Sequence, residues 1–159
     1  MASSALQHEL RQRQPFQSAA HEAVVALLRT ADLMRRQMTA LLEPHGITMQ
    51  QFNVLRILRG AGEVGLPTLE VAERMIEATP GVTRLLDRLE AKELVRRQRC
   101  PKDRRQHLCW IAPKGLALLQ KLDGVTARAP DESLKGLKQK DRIVFIRLLD
   151  AIRAAHQQG

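Results

Sequence analysis

Between Thr68 and Ile111 the hydrophobic period of the chain changes twice, and that change constrains the fold more than any other feature. A short run beginning near Thr68 sets Leu69, Val71, Ala72 and Met75 at helical spacing. After a break at residues 77–79, a second helical run begins at Pro80, a residue suited to a first helical position because the N–H it lacks would be unpaired there anyway. This run carries Val82, Leu85, Leu86 and Leu89 on one face and Thr83, Arg84, Asp87, Arg88 and Lys92 on the others, so one face can pack while the other stays free. The period then shortens to that of a strand in LVRRQRC and HLCWI, and the intervening PKDRRQ reads as a turn. Two short helices and a basic hairpin are the expected result.

The flanks are helical. From Ser18 to Leu42 the residues Ala20, Val24, Leu27, Leu28, Ala31, Met34, Met38, Leu41 and Leu42 form one broad apolar stripe. A helix of about 25 residues is roughly 37 Å long, which is long for a domain of this size. Pro44, His45 and Gly46 stop it, and Thr48 can cap a second helix built on Phe52, Val54, Leu55, Ile57 and Leu58 and ended by Gly60 and Gly62. Pro113 opens a helix reaching about Thr126, a loop with Pro130 and Gly136 follows, and a last helix spans about Gln139–His156 with Ile143, Ile146, Leu148, Leu149 and Ile152 on its apolar face. The fold class is therefore mainly α with a small β-hairpin wing: a winged helix-turn-helix at 47–115, a helical dimerisation region at 16–46 and 116–159, and a polar lead-in at 1–15. The stripes of the terminal helices exceed what so small a domain can cover, which predicts a twofold homodimer.

Charge points to the partner. Twenty-six Lys and Arg against seventeen Asp and Glu give the 159-residue chain a net charge of +9, a balance that favours a polyanion. The excess is local, with six basic residues and one acid from Arg96 to Arg105; that stretch is too short and interrupted for a membrane-surface helix. No apolar run fits a signal peptide or a bilayer span, so the protein is expected in the cytoplasm without a membrane partner. Two cysteines are too few for a disulfide scaffold, the five histidines are scattered, and no phosphate loop, nucleophile elbow or paired-carboxylate motif is present. The composition argues against an enzyme and against a bound metal or cofactor. A helix fits the major groove of double-stranded DNA, and a thin hairpin with arginine at its tip can enter the minor groove, where negative potential concentrates.

Four segments, GITMQQFNVLRIL, LPTLEVAERM, PGVTRLLDRLEAKELVRR and DRRQHLCWIAPKG, carry a resemblance to the MarR family of bacterial regulators that runs without gaps across residues 46–115. Its most specific part is the wing signature, an Asp followed two residues later by Arg and about ten residues later by a Lys-Gly pair. The resemblance implies a dimeric DNA-binding regulator in which Arg105 enters the minor groove and Asp103 helps hold the wing. It places Thr83 and Arg84 at bases or phosphates of the major groove, and Gly81 at the exposed start of the recognition helix. Thr48, Gln50, Thr79, Arg88, Arg97 and Arg104 complete the DNA-binding candidates. Ile76, Ala78, Glu93 and Ala112 depart from the family pattern; Glu93 stands where a glycine often ends the recognition helix, and Thr79 could cap that helix in place of the usual serine at 78. The resemblance also implies a small aromatic or phenolic effector near the junction with the dimerisation part, lined by the first, second and fifth helices.

Cys100 and Cys109 would face each other if the hairpin were symmetric about the Arg104–Arg105 bond, and neighbouring Arg97, Arg99 and Lys102 could then activate a thiol for a redox switch. The alternative, preferred here, makes Cys109 an apolar filler and Cys100 a surface residue. Trp110 is expected to pack against the wing base or to line a ligand pocket. Function follows as sequence-specific transcription regulation, most often repression of a pseudo-palindromic operator relieved by an effector; a non-specific architectural DNA binder and a redox-responsive regulator are the alternatives.

Overall fold

The computed structural model describes residues 4–101, 103 and 105–157. It divides into two compact units, Met1–Asn53 and Val54–Gly159.

The first unit opens with a short helix α1 (Ala5–Glu9), where the sequence predicted only a polar lead-in. The Ser4 hydroxyl accepts the Gln7 amide to start it, and the Glu9 carboxylate takes a 2.8 Å hydrogen bond from Arg29 of the next helix. That helix, α2 (Ala19–Leu42), begins where Ser18 accepts the His21 amide. A 3₁₀ turn at Glu43–His45 and left-handed Gly46 end it. Thr48 and Gln51 then form a reciprocal cap for α3 (Met49–Ala61): the Thr48 hydroxyl accepts the Gln51 amide, and the Gln51 side-chain oxygen accepts the Thr48 amide. The unit boundary falls inside α3.

In the second unit a three-stranded antiparallel sheet is ordered β1-β3-β2, with β1 at Leu66–Pro67, β2 at Val95–Arg99 and β3 at His107–Ile111. The two hairpin strands match the sequence-based expectation. β1 was not anticipated, because two residues ending in proline carry no strand period and pair only through β3, Leu66 with Cys109 and Pro67 with Leu108.

Helices α4 (Thr68–Glu73) and α5 (Val82–Ala91) pack beside this sheet. Val71, Val82, Leu85, Leu86, Leu89, Leu94, Val95 and Cys109 are buried, and each fully buried Leu or Val contributes about 1.5–3 kcal/mol. Leu69, expected on the buried face of α4, is 71% exposed instead; with only six residues, α4 covers a single apolar position fully, Val71. Pro80 lies in the turn before α5 rather than inside it, and left-handed Gly81 is the capping residue.

Helix α6 (Pro113–Ser133) runs past the predicted end near Thr126 and through Pro130, which was expected in a loop. Proline costs an interior helix one hydrogen bond. Here burial of Thr126 and Ala129 holds the last turns, and the Ser133 hydroxyl donates to the Ala129 carbonyl. Gly115, in the first turn of α6, sits where an added Cβ would come within 2.3 Å of the Leu94 carbonyl oxygen, which gives the Lys-Gly pair of the wing signature its physical reason. The last helix, α7 (Gln139–Gln157), buries none of its residues.

Candidate nucleic-acid interface

The recognition helix and the wing share one open cleft. About 810 Å³ in volume, it is lined by Thr68 and Leu69 of α4, by Thr79, Gly81 and Thr83 at the start of α5, and by Arg105 and His107 at the wing turn. Four of the predicted site residues thus converge on one concavity. Arg84 and Arg88 lie on the exposed face of α5. Among the described residues the guanidinium groups of Arg84, Arg88 and Arg105 have no acidic partner, so their charge is available to an external anion.

Asp103 shapes the wing turn. Its carboxylate accepts the Arg105 amide at 2.9 Å, and its carbonyl accepts the Gln106 amide at 3.0 Å. This side-chain turn fixes the backbone leading to Arg105, which is exposed. Arg104 lies outside the described residues.

Three assignments change. Thr79 does not cap α5: its hydroxyl donates to the Glu77 carbonyl at 2.9 Å, bracing the turn before the helix. Arg97 is not a free cation. Its guanidinium binds Glu90 at 2.7 and 3.0 Å and Asp87 at 2.5 Å, and its side chain is only 17% exposed. Burial weighs against its charge, yet the hydrogen bonds from Glu90 and Asp87 outweigh that and raise its pKa. Cys100 and Cys109, finally, do not face each other. Residue 109 pairs with Arg97, and the Cys100 amide donates to the Gln106 carbonyl, so the hairpin is centred on Asp103. Cys109 is fully buried; burial pushes its thiol up, only partly offset by a 3.6 Å contact with the Thr68 hydroxyl.

Thr48 and Gln50 belong to the first unit, exposed at the start of α3. The Thr48 hydroxyl already serves as the helix cap, and Gln50 keeps an exposed amide.

Sequence reasoning left open what Trp110 touches. Its indole N–H donates to the Glu63 carbonyl at 2.9 Å, and its ring lies where an added Cβ on Gly65 would come within 2.5 Å. Gly65 has φ 69°, a conformation that favours glycine. The Arg96 guanidinium stacks 4.8 Å above the same ring. The tryptophan therefore packs the root of the wing, with Glu63, Gly65 and Arg96 as partners that no local period marked.

Two short helices, the second with exposed arginines, and a three-stranded sheet whose hairpin turn carries the exposed Arg105 define a winged helix-turn-helix DNA-binding domain. Residues 47–107 match the model of the MarR family. The chain is 28% identical to the HTH-type transcriptional regulator MhqR of Bacillus subtilis over 117 residues, 74% of this chain and 79% of that protein. Among solved structures, a MarR transcription factor from Planctomyces limnophilus is 33% identical with a TM-score of 0.67, covering 86% of this chain and 98% of that one. The fold is shared with a mutant MarR from E. coli complexed with operator DNA, at a TM-score of 0.73 and 23% identity, over 94% of this chain and 99% of that one. The chain belongs to the MarR family of DNA-binding transcriptional regulators, which are not enzymes.

Proposed function

We propose that the chain acts as a homodimeric repressor that reads a pseudo-palindromic operator and is released by a small aromatic or phenolic effector. The observation that carries the DNA-reading part is the set of unpartnered guanidinium groups, Arg84 and Arg88 on α5 and Arg105 at the wing turn, in one compact unit. Arg84, Thr83 and Gly81 would meet the major groove and Arg105 the minor groove. Thr48, Gln50, Arg88 and Arg104 would position the protein on phosphates.

Dimerisation is supported by apolar side chains without cover in the single chain: Val24, Leu28 and Leu33 on α2, and Val144, Ile146 and Leu148 on α7. A second copy would set two recognition helices about one DNA turn apart, roughly 34–36 Å. An effector that binds the dimer in a non-matching arrangement would draw the population away from DNA. No described helix is long and apolar enough to cross a membrane, and a regulator of this kind works in the cytoplasm.

Selection of bound sequences from random duplexes, followed by affinity for the winner and a scrambled control at one salt concentration, tests this reading. A palindromic winner preferred by about a thousandfold or more supports it. Equal affinity for both duplexes would replace it with architectural, sequence-independent binding.

A further inference from the structure

Arg97 lies within the most basic stretch of the chain, in β2, an edge strand of the sheet. Four hydrogen bonds, one from its amide and three from its guanidinium, nonetheless tie it inward. Its amide, unused by β3, donates to one oxygen of Glu90 at 3.2 Å, while its guanidinium binds the other oxygen of Glu90 and, through Nη2, the Asp87 carboxylate. Asp87 and Glu90 lie three residues apart on α5, so they share one face of the recognition helix. Backbone and side chain of a single wing residue thus grip that face.

We propose that Arg97, Glu90 and Asp87 form a clamp that sets the wing relative to the recognition helix, which makes Arg97 a positioning residue rather than a phosphate contact. The inference rests on the DNA-binding reading above. To reach a phosphate, the guanidinium would have to abandon both acids and leave two carboxylates uncompensated beside a polyanion, which is unfavourable on both counts. Arg84, Arg88 and Arg105 have no such ties. With the clamp closed, the reading helix and the minor-groove arginine are presented at a fixed angle, so less ordering is left to be done on binding.

The test uses the full-length protein and the duplex that it selects, with Kd followed against salt for Glu90→Gln, Arg97→Met, their combination, and the charge exchange Arg97→Glu with Glu90→Arg. A clamp predicts that each single change weakens binding about tenfold with the salt slope unchanged, that the double change is no worse than either single one, and that the exchange recovers most of the loss. Tighter binding by Glu90→Gln, or a salt slope lowered by about one in Arg97→Met, would overturn it, because both are signatures of a phosphate contact. Amide hydrogen exchange supplies a reading without DNA. In Glu90→Ala, which removes the acceptor, the Arg97 amide should exchange at least tenfold faster while the Leu86 and Leu89 amides of α5 keep their rates, which also certifies the fold. An unchanged rate at Arg97 refutes the clamp even if wild-type protein selects no duplex, a result that would count separately against the regulator reading.

Discussion

Helices α5 and α7 are both amphipathic, and the structure treats them oppositely. In α5 the four large apolar residues, Val82, Leu85, Leu86 and Leu89, are buried, and the arginines are left outside. In α7 nothing is buried, with Ile146 and Leu148 57% and 59% exposed. A stripe of the same period is buried inside the chain in one case and left exposed in the other. The difference lies in what packs against each helix: α5 has α4 and β2 against it, whereas no residue of the 19-residue α7 is buried.

Paired substitutions would break that comparison most forcefully. Leu86→Ala should destabilise the fold by about 2–5 kcal/mol, read by urea unfolding, because it opens a cavity in a closed core. If α7 lies in the proposed dimer contact, Leu148→Asp should leave the helical circular dichroism intact and give a monomer where the unaltered chain gives a dimer in a solution mass measurement. A Leu148→Asp protein that stayed dimeric at micromolar concentration would place the dimer contact elsewhere.

Next in size is the fit at the start of α6. Gly115→Ala puts a methyl against the Leu94 carbonyl and the Ile111 side chain, and overpacking of that kind should cost about 1–3 kcal/mol in the same unfolding measurement. Outside the core the currency changes from stability to affinity. Arg105→Ala should leave the melting temperature in place while weakening operator binding about tenfold and lowering the salt slope by about 0.9. An unchanged affinity would remove Arg105 from the proposed DNA interface.

These contrasts also explain what could be read from sequence. The apolar quartet of α5, the two hairpin strands and the start of α2 were legible because each is fixed by a local period or cap. The register was not. Symmetry about residues 104–105 looked natural, but the Asp103 carboxylate captures the Arg105 amide and moves the centre to 103, which separates Cys100 from Cys109. Burial of Leu69 failed because α4 is too short to cover the position, and the break at Pro130 failed because tertiary burial at Ala129 outweighs one missing hydrogen bond. In the candidate site, Arg84 and Arg105, singled out by type and place, are both exposed, and Arg105 lines the cleft. The ties of Arg97 to Asp87 and Glu90 were not legible, because the spacing of two acids on a helix says nothing about which strand residue will lie over them.

The smallest predicted effect sharpens the comparison at the end of α5, where the helix stops without glycine. Glu93 takes a left-handed conformation, φ 61°, at the position following the Lys92 cap. Its amide donates to the Glu90 carbonyl and the Leu94 amide donates back to Leu89, the paired bonds of a helix-ending motif that glycine serves best. A side chain there carries a steric cost of about 1 kcal/mol. The partial return is an exposed pair with Lys114, whose hydrogen bond holds the Glu93 carboxyl below its ordinary pKa. Exposed pairs of this kind contribute little. Glu93→Gly should therefore stabilise the protein by up to about 1 kcal/mol, even though glycine loses more chain entropy on folding. A loss of stability in the urea midpoint would show instead that the Lys114 pair, by joining the end of α5 to the first turn of α6, outweighs the backbone strain.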